Sequence, residues 1–553
     1  MKIGTSFKLV FVFAIFAVLL TACFDSKDSM EGMDHSNMNQ SGMTNTDSSN
    51  QSNVNTQDKT SKMTTLKGKE FTLTAKTSNL EITPGKTLPV WTFNNSVPGP
   101  EFRVKQGDTV KITLKNDLPE PTTIHWHGLP VPNEMDGIPG VTQNAVQPGK
   151  SFVYEFKATV PGTYWYHSHQ DGANQVDKGL YGAFIVEGTD EKVDRDYTLV
   201  LDEWMSMGDM DMSSMDNSSM NMDMSSMDHS NMNMDSSKDQ ASSENNIDHG
   251  NMSDDAHGSS AEGHDMSMYD IYSINGKSGD SIDKLIVKKG EKVRIRLVNA
   301  GLLSHNIHLH GHEFKVVSTD GQPINNPASI NDQVISIAPG ERYDLEFEAN
   351  NPGQWYIEDH GDDPRVKGMK AIIAYEGANA DTDKPNETAA LPILDLTRYG
   401  QSSNSVFTLD QKYDLEYTMD LNTDQQSGQQ VYTINGKTYP DTEKIKVKKG
   451  DLVKVRLVNN SKTDDHPMHL HGHFFQVLSK NGKPIEGSPI VKDTLNLKPG
   501  EEYEVAFVAD NPGDWMFHCH ELHHAAAGMV THLRYTDYKS DFVPDPNAGN
   551  KPE

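Results

Sequence analysis

Cysteine is almost absent. The 553-residue chain has two, Cys23 and Cys519, in settings so different that they do not read as a pair. No disulfide framework is expected, so the fold must rest on its cores. Positive charge is also scarce: 49 Lys and Arg face 79 Asp and Glu, a formal net charge of −30. That balance excludes nucleic acid as a partner, because binding phosphate needs a basic surface. Long apolar runs are missing beyond the N-terminus, which excludes a protein that crosses a membrane repeatedly.

The one apolar run opens the chain. MKIGTSFKLVFVFAIFAVLLTAC has two early lysines, a short apolar core and a small-residue end. This is the layout of a signal peptide over residues 1–22 rather than of a membrane span. Leu20-Thr21-Ala22-Cys23 resembles a lipoprotein processing box. Cys23 is therefore expected to be lipidated and to anchor an extracytoplasmic protein to a membrane; plain secretory cleavage is the alternative. Residues 23–66, rich in Ser, Asn, Asp, Gln, Thr and Met, offer almost nothing to bury and read as a disordered tether.

What the chain has in quantity is repetition. INGKSGDSIDKLIVKKGEKVRIRLVNAGLLSHNIHLHGHEFKVV, from 274, matches INGKTYPDTEKIKVKKGDLVKVRLVNNSKTDDHPMHLHGHFFQVL, from 434, and a weaker copy starts at 93. Each unit alternates Val, Ile and Leu with charged residues between Gly, Asn, Asp and Pro turns, the pattern of half-buried strands. The expectation is an all-β protein of three Greek-key β-sandwich or barrel domains, at 67–190, 269–378 and 405–540, each long enough to bury a core.

The repeats carry histidines. HWHG holds His125 and His127, WYHSH holds His167 and His169, and HPMHLHGH holds His466, His469 and His471. HCHELHHAAAGM holds His518, Cys519, His520, His524 and Met529. Thiolate, imidazole and thioether are the ligands of a blue copper electron-transfer site. On a strand, His518 and His520 point away from the face that carries Cys519, so they are free for a second metal centre behind the first. Electrons taken in at one centre would leave through the cysteine backbone to the other.

With these motifs the chain resembles the multicopper oxidases over about residues 67–538. The resemblance implies cupredoxin-like domains and four copper ions. His466, Cys519, His524 and axial Met529 would hold type 1 copper, and His125 and His469 type 2 copper. His127, His167 and His520 would hold one type 3 ion, and His169, His471 and His518 the other. The implied reaction couples one-electron oxidation of a donor at type 1 copper to four-electron reduction of O2 to water. Asp136, nine residues after His127, stands where related oxidases keep a carboxylate that serves this reduction with protons. A turn-forming Asp before Gly137 is the other reading. Many relatives carry a Glu after the second type 1 histidine; here Ala525 leaves the second proton path without a residue.

The closing segments PGTYWYHSH (161–169), PGQWYIEDH (352–360) and PGDWMFHCH (512–520) set the middle domain apart. There Glu358 and Asp359 replace His and Cys, and Pro364 stands in place of His524. Without a thiolate no blue copper is expected. His305, His308 and His310 read as a vestige held by ordinary hydrogen bonds, with a weak auxiliary metal site as the alternative. His312, His473, His523 and His532 fall outside the pattern and are expected to be hydrogen-bonded or exposed.

Residues 205–268 hold 14 of the 26 methionines, with 13 acidic residues against one lysine. They read as a disordered insertion between the first and second domains. Soft thioethers select Cu(I), and clustered carboxylates raise the local cation concentration. MEGMDHSNMNQSGM, at 30–43, repeats the vocabulary. Such repeats resemble the copper-resistance branch of the family and imply Cu(I) as donor, with Fe(II) or Mn(II) as further candidates. A laccase-like phenol oxidase and a non-catalytic copper buffer are the alternatives. Asp464 and Asp465 read equally as a metal dock or as exposed loop charges, and Met468 and Met516 as packing residues.

Overall fold

Alternating sequence becomes alternating strand. Thr109–Asn116 (TVKITLKN) and Leu452–Asn459 (LVKVRLVN) bury every second residue, because successive side chains on a strand face opposite ways and the apolar set takes the core. The computed structural model describes residues 59–189, 192–206, 268–377, 390–426 and 428–552. The expected signal peptide, Cys23, most of the tether and nearly all of the methionine-rich segment lie outside them.

Among the described residues six sheets pair into three two-sheet sandwiches, each around its own core. Each repeats one piece of wiring. Glu70–Thr83 runs parallel to Thr109–Asn116, Arg195–Met205 to Lys292–Asn299, and Leu415–Gln426 to Leu452–Asn459. Parallel neighbours need a crossover connection, which here joins the two sheets of a domain. Among the described residues no helix is long and apolar enough to cross a membrane.

Three boundaries differ from the sequence reading. Arg195–Met205 pairs within the second domain, and Tyr269–Ile274 returns antiparallel beside it with Met205 opposite Tyr269. The methionine-rich segment therefore springs from a hairpin of the second domain, not from between the first two. The tether ends sooner than residue 66: Lys59 bridges to Asn79, and Thr65–Lys67 forms an edge strand on Gly99–Lys105. The third domain does not end the packing at 540. Residues 545–552 lie against the first domain, where Asp545 and Asn550 bond Asn144 and Gln147 bonds the Ala548 carbonyl.

Lys292–Asn299 (KVRIRLVN) breaks the alternation and is buried along nearly its whole length. Arg294 pairs with Glu346, Val298 joins a core shared with the first domain, and the most deeply buried charge is Arg296. Its guanidinium bonds Asp196 and Asp344 in its own domain and Thr163 Oγ1 of the first domain. A charge can be buried only when so paired, and here the pairing seals an interface between domains.

Candidate metal centres

The closing strands Gly162–His167, Gln354–Asp359 and Asp514–Cys519 carry the motif residues of each domain. In the third domain Met468 lies opposite Cys519 and His469 opposite His518. Cys519 and its two flanking histidines thus face opposite sides of one strand. After Cys519 the carboxylate of Glu521 accepts from the backbone N–H groups of His523 and His524, starting the short helix Leu522–Ala526. That turn brings His524 back over the thiol. Cys519 Sγ lies 3.6 Å from His524 Nδ1 and 3.8 Å from His466 Nδ1. Cys519 and Met529 are both fully buried. Glu521 orients His524 through its Nε2 at 3.0 Å, and Tyr432 stacks on the ring. Burial holds His466 neutral, well below the usual histidine range. The set can hold a soft-to-borderline ion such as copper.

Behind this site eight imidazoles converge from the first and third domains, none more than 2% exposed: His125, His127, His167, His169, His469, His471, His518 and His520. Most are pinned from outside. Nδ1 of His125, His167, His169, His469 and His518 donates to the carbonyls of Asp136, Ser168, Pro552, Asp493 and Cys519, at 2.6–3.0 Å. His127 is turned the other way, with Nε2 on Thr494 Oγ1 at 3.0 Å. Such bonds fix tautomer and ring orientation. The inward atoms, Nε2 of His125, His167 and His469, Nδ1 of His127 and both nitrogens of His520, meet no protein partner. A buried polar atom without a partner is costly, and metal ions would satisfy these. Burial and the neighbouring rings hold His127, His167, His471, His518 and His520 well below the usual range, and His169 falls to about 3. Neutral imidazole is the form that binds metal.

His466, Cys519 and His524 thus form one buried group and the eight imidazoles another, with Met529 buried in the same core as Cys519. Asp136 joins the cluster: its carboxylate reaches His125 Nδ1 at 3.2 Å and His471 Nδ1 at 3.0 Å. Ala525 is buried in the helix and packs on Ile138, Met516 and Val530.

Sequence reasoning missed two groups. Asp493, from the third domain, lies 3.2 Å from His127 Nε2 and is itself clamped by Arg342 of the second domain. Arg342 also donates to the Thr163 carbonyl of the first domain, so all three domains meet here. Burial opposes the charge on Asp493, but Arg342 outweighs it and holds the carboxyl well below the usual range. The backbone closes in as well: a Cβ on Gly340, at φ +82°, would come within 2.9 Å of His520. The Pro552 carbonyl on His169 is the second missed group. No sequence motif linked it or Asp493 to the histidines.

In the second domain the two halves of the pattern part company. His305 matches His466, but its Nδ1 bonds Asp359 Oδ2 at 2.7 Å and its Nε2 is in contact with Glu203. Burial opposes protonation, yet the two carboxylates lift His305 to about 10. An ion pair fills the space where the third domain has a thiolate site, which is the vestige expected. His308 does not follow: neither of its ring nitrogens has a hydrogen-bond partner.

The hairpin that bears the methionine-rich segment is rooted beside the thiolate site. The Tyr269 hydroxyl bonds Asp177 and lies 3.2 Å from His523 Nε2. Trp204, Tyr269 and Ile271 share a core with Leu522 of the His524 helix, and Met205 packs on it. Burial pushes Asp177 up to about 8. Asp464 and Asp465 are half-buried and hydrogen-bonded to Thr423 and Asn496. Met468 and Met516 are core residues. His312, His473, His523 and His532 are all buried and hydrogen-bonded, to Tyr375, Tyr535, Tyr269 and Asp514.

Family profiles described as multicopper oxidase match residues 74–191, 195–378 and 408–538. The chain is 30% identical to the multicopper oxidase MmcO of Mycobacterium tuberculosis over 84% of its own length and 86% of that protein. It is 24% identical to copper resistance protein A of Escherichia coli, over 85% of its length and 93% of that protein. The crystal structure of a multi-copper oxidase from Pseudomonas thermotolerans superposes with a TM-score of 0.61 at 26% identity, covering 86% of this chain and all of that one.

Proposed function

The chain belongs to the multicopper oxidase family, oxygen-using oxidoreductases with four coppers, and from that premise we propose that its electron donor is Cu(I), gathered by the methionine-rich segment and oxidised at the Cys519 site. When bound, copper supplies one-electron oxidation of the donor and four-electron reduction of O2 to two waters. The chain's residues do the rest. Cys519, with His518 and His520 on either side, links the two centres along one strand. The Asp136 carboxylate, 3.0 Å from His471 Nδ1, accepts from that ring and would pass protons on to the oxygen site. Asp493, kept ionised by Arg342, orients His127 instead of carrying a proton.

One observation carries the choice of donor: Met205, which begins the methionine-rich segment, and Tyr269, which follows it, sit as opposite residues of a hairpin, and Tyr269 touches His523, the neighbour of His524. Thioethers gathered there would hold Cu(I) next to the oxidising site. The surrounding carboxylates, Asp464, Asp465 and Glu521, suit a cation better than a phenol. Similarity to a protein named copper resistance protein A supports the same reading. The test replaces residues 207–267 by a short turn. Oxidation of Cu(I) at low concentration should fall while oxidation of a phenol is unchanged; equal rates on Cu(I) would remove the segment from the reaction.

The sequence also supports a lipid anchor at Cys23 outside the cytoplasm. Labelled palmitate should enter the full-length protein and be absent from Cys23→Ala, which should appear free of the membrane. Label in the variant would refute the anchor.

A further inference from the structure

The second domain has its own cluster, away from both centres. His308 is 4% exposed and neither of its ring nitrogens has a hydrogen-bond partner. His310 Nε2 lies 3.0 Å from His360 Nε2 and 2.8 Å from Glu358 Oε1. One nitrogen from each of His308, His310 and His360 falls within 4.8 Å of the others. Their ring contacts are with one another and with Tyr356.

The backbone that presents them is the one that presents the oxygen-site histidines. His308 stands opposite Glu358 as His469 stands opposite His518. His310 N–H donates to the Tyr356 carbonyl and His360 N–H to that of Asn306, at 2.9 and 2.8 Å; the counterparts are His471 on Met516 and His520 on Pro467. The 2.8 Å approach of His310 to Glu358 repeats the 3.0 Å approach of His471 to His518.

Hydrogen bonding alone does not explain the cluster. A proton shared between His310 and His360 would still leave His308 buried and unsatisfied, which is unfavourable. Lys370 pairs with the far oxygen of Glu358 at 2.9 Å while its ammonium rests over Tyr356. That holds the carboxylate in place and leaves Oε1 toward the rings. Burial pushes His308 down to about 3, so it is neutral. His360 and Glu358 are 19% and 14% exposed, which opens the cluster to ions from solvent.

The geometry points to a fifth metal site, in which His308, His310, His360 and Glu358 bind one borderline divalent cation, Cu2+ ahead of Zn2+. Three imidazoles and a carboxylate suit both ions, and the affinity order of N/O sites favours copper. With no thiolate the bound ion is not a blue copper. The site does not depend on Cu(I) being the donor.

The test uses the full-length, four-copper protein, titrated with Cu2+ and separately with Zn2+, beside His308→Ala/His360→Ala and the milder Glu358→Gln. Wild type should take up one more equivalent of either ion than the double variant, whose blue absorption and O2 consumption are unchanged. Crystals soaked in Zn2+ should show anomalous scattering between the three histidines. Equal uptake by wild type and both variants, with no anomalous peak there, would overturn the site. If the double variant does not fold, Glu358→Gln and the soaked wild-type crystal decide the matter.

Discussion

Asp493 and Arg342 meet through two hydrogen bonds of 2.7 and 2.5 Å, and neither side chain is exposed to solvent. One residue comes from the third domain and the other from the second, while Arg342 also holds the first domain at Thr163. The oxygen-site histidines are therefore positioned by all three domains, though only two supply them.

Breaking that pair should be expensive. Arg342→Gln leaves the Asp493 carboxylate buried without its cation, a loss of about 3–5 kcal/mol. Denaturant unfolding of the copper-loaded protein should show it, together with fewer than four coppers per chain. Because Asp493 is held below its usual range, the pair's contribution is complete above the ordinary Asp pKa of 3.8 and is lost as pH falls below it. Wild type should thus approach the variant in acid.

His305 gives the opposite sign. Its folded pKa of about 10 lies above the ordinary 6.5, so its contribution is complete below pH 6.5 and is lost as pH rises through about 10. His305→Gln leaves Glu203 and Asp359 buried without their cation. Thermal unfolding at pH 6 should report a loss of about 3–5 kcal/mol, shrinking toward pH 10. The variant should keep its blue absorption, because His305 belongs to the ion pair and not to a copper site.

Asp136→Asn keeps the shape of the side chain and removes its capacity to exchange a proton. The turnover of O2 should fall by about a hundredfold or more, with copper content and blue absorption retained. A variant with normal turnover would return Asp136 to the role of a turn residue.

The histidine motifs were legible because each pair of ligands is local, two residues apart on one strand, and because the sequence repeat fixes which strands correspond. The absence of a thiolate site from the second domain could be read from Asp359 alone. The domain boundary at the methionine-rich segment could not. Composition changes at residue 205, whereas the pairing that assigns Arg195–Met205 to the second domain is made with Lys292–Asn299, far along the chain. Asp493 was hidden for the same reason: 366 positions separate it from His127, and only the folded sandwiches bring the two together. Arg296 sits at a position where alternation predicts solvent, and an interface between domains buries it instead.

The most direct measurement is O2 uptake by the copper-loaded protein with Cu(I) as the sole donor. The account predicts sustained uptake, with four Cu(I) oxidised for each O2 consumed and water as the product, because O2 needs four electrons to become two waters. Uptake with phenols but none with Cu(I) would contradict it and make the enzyme a laccase.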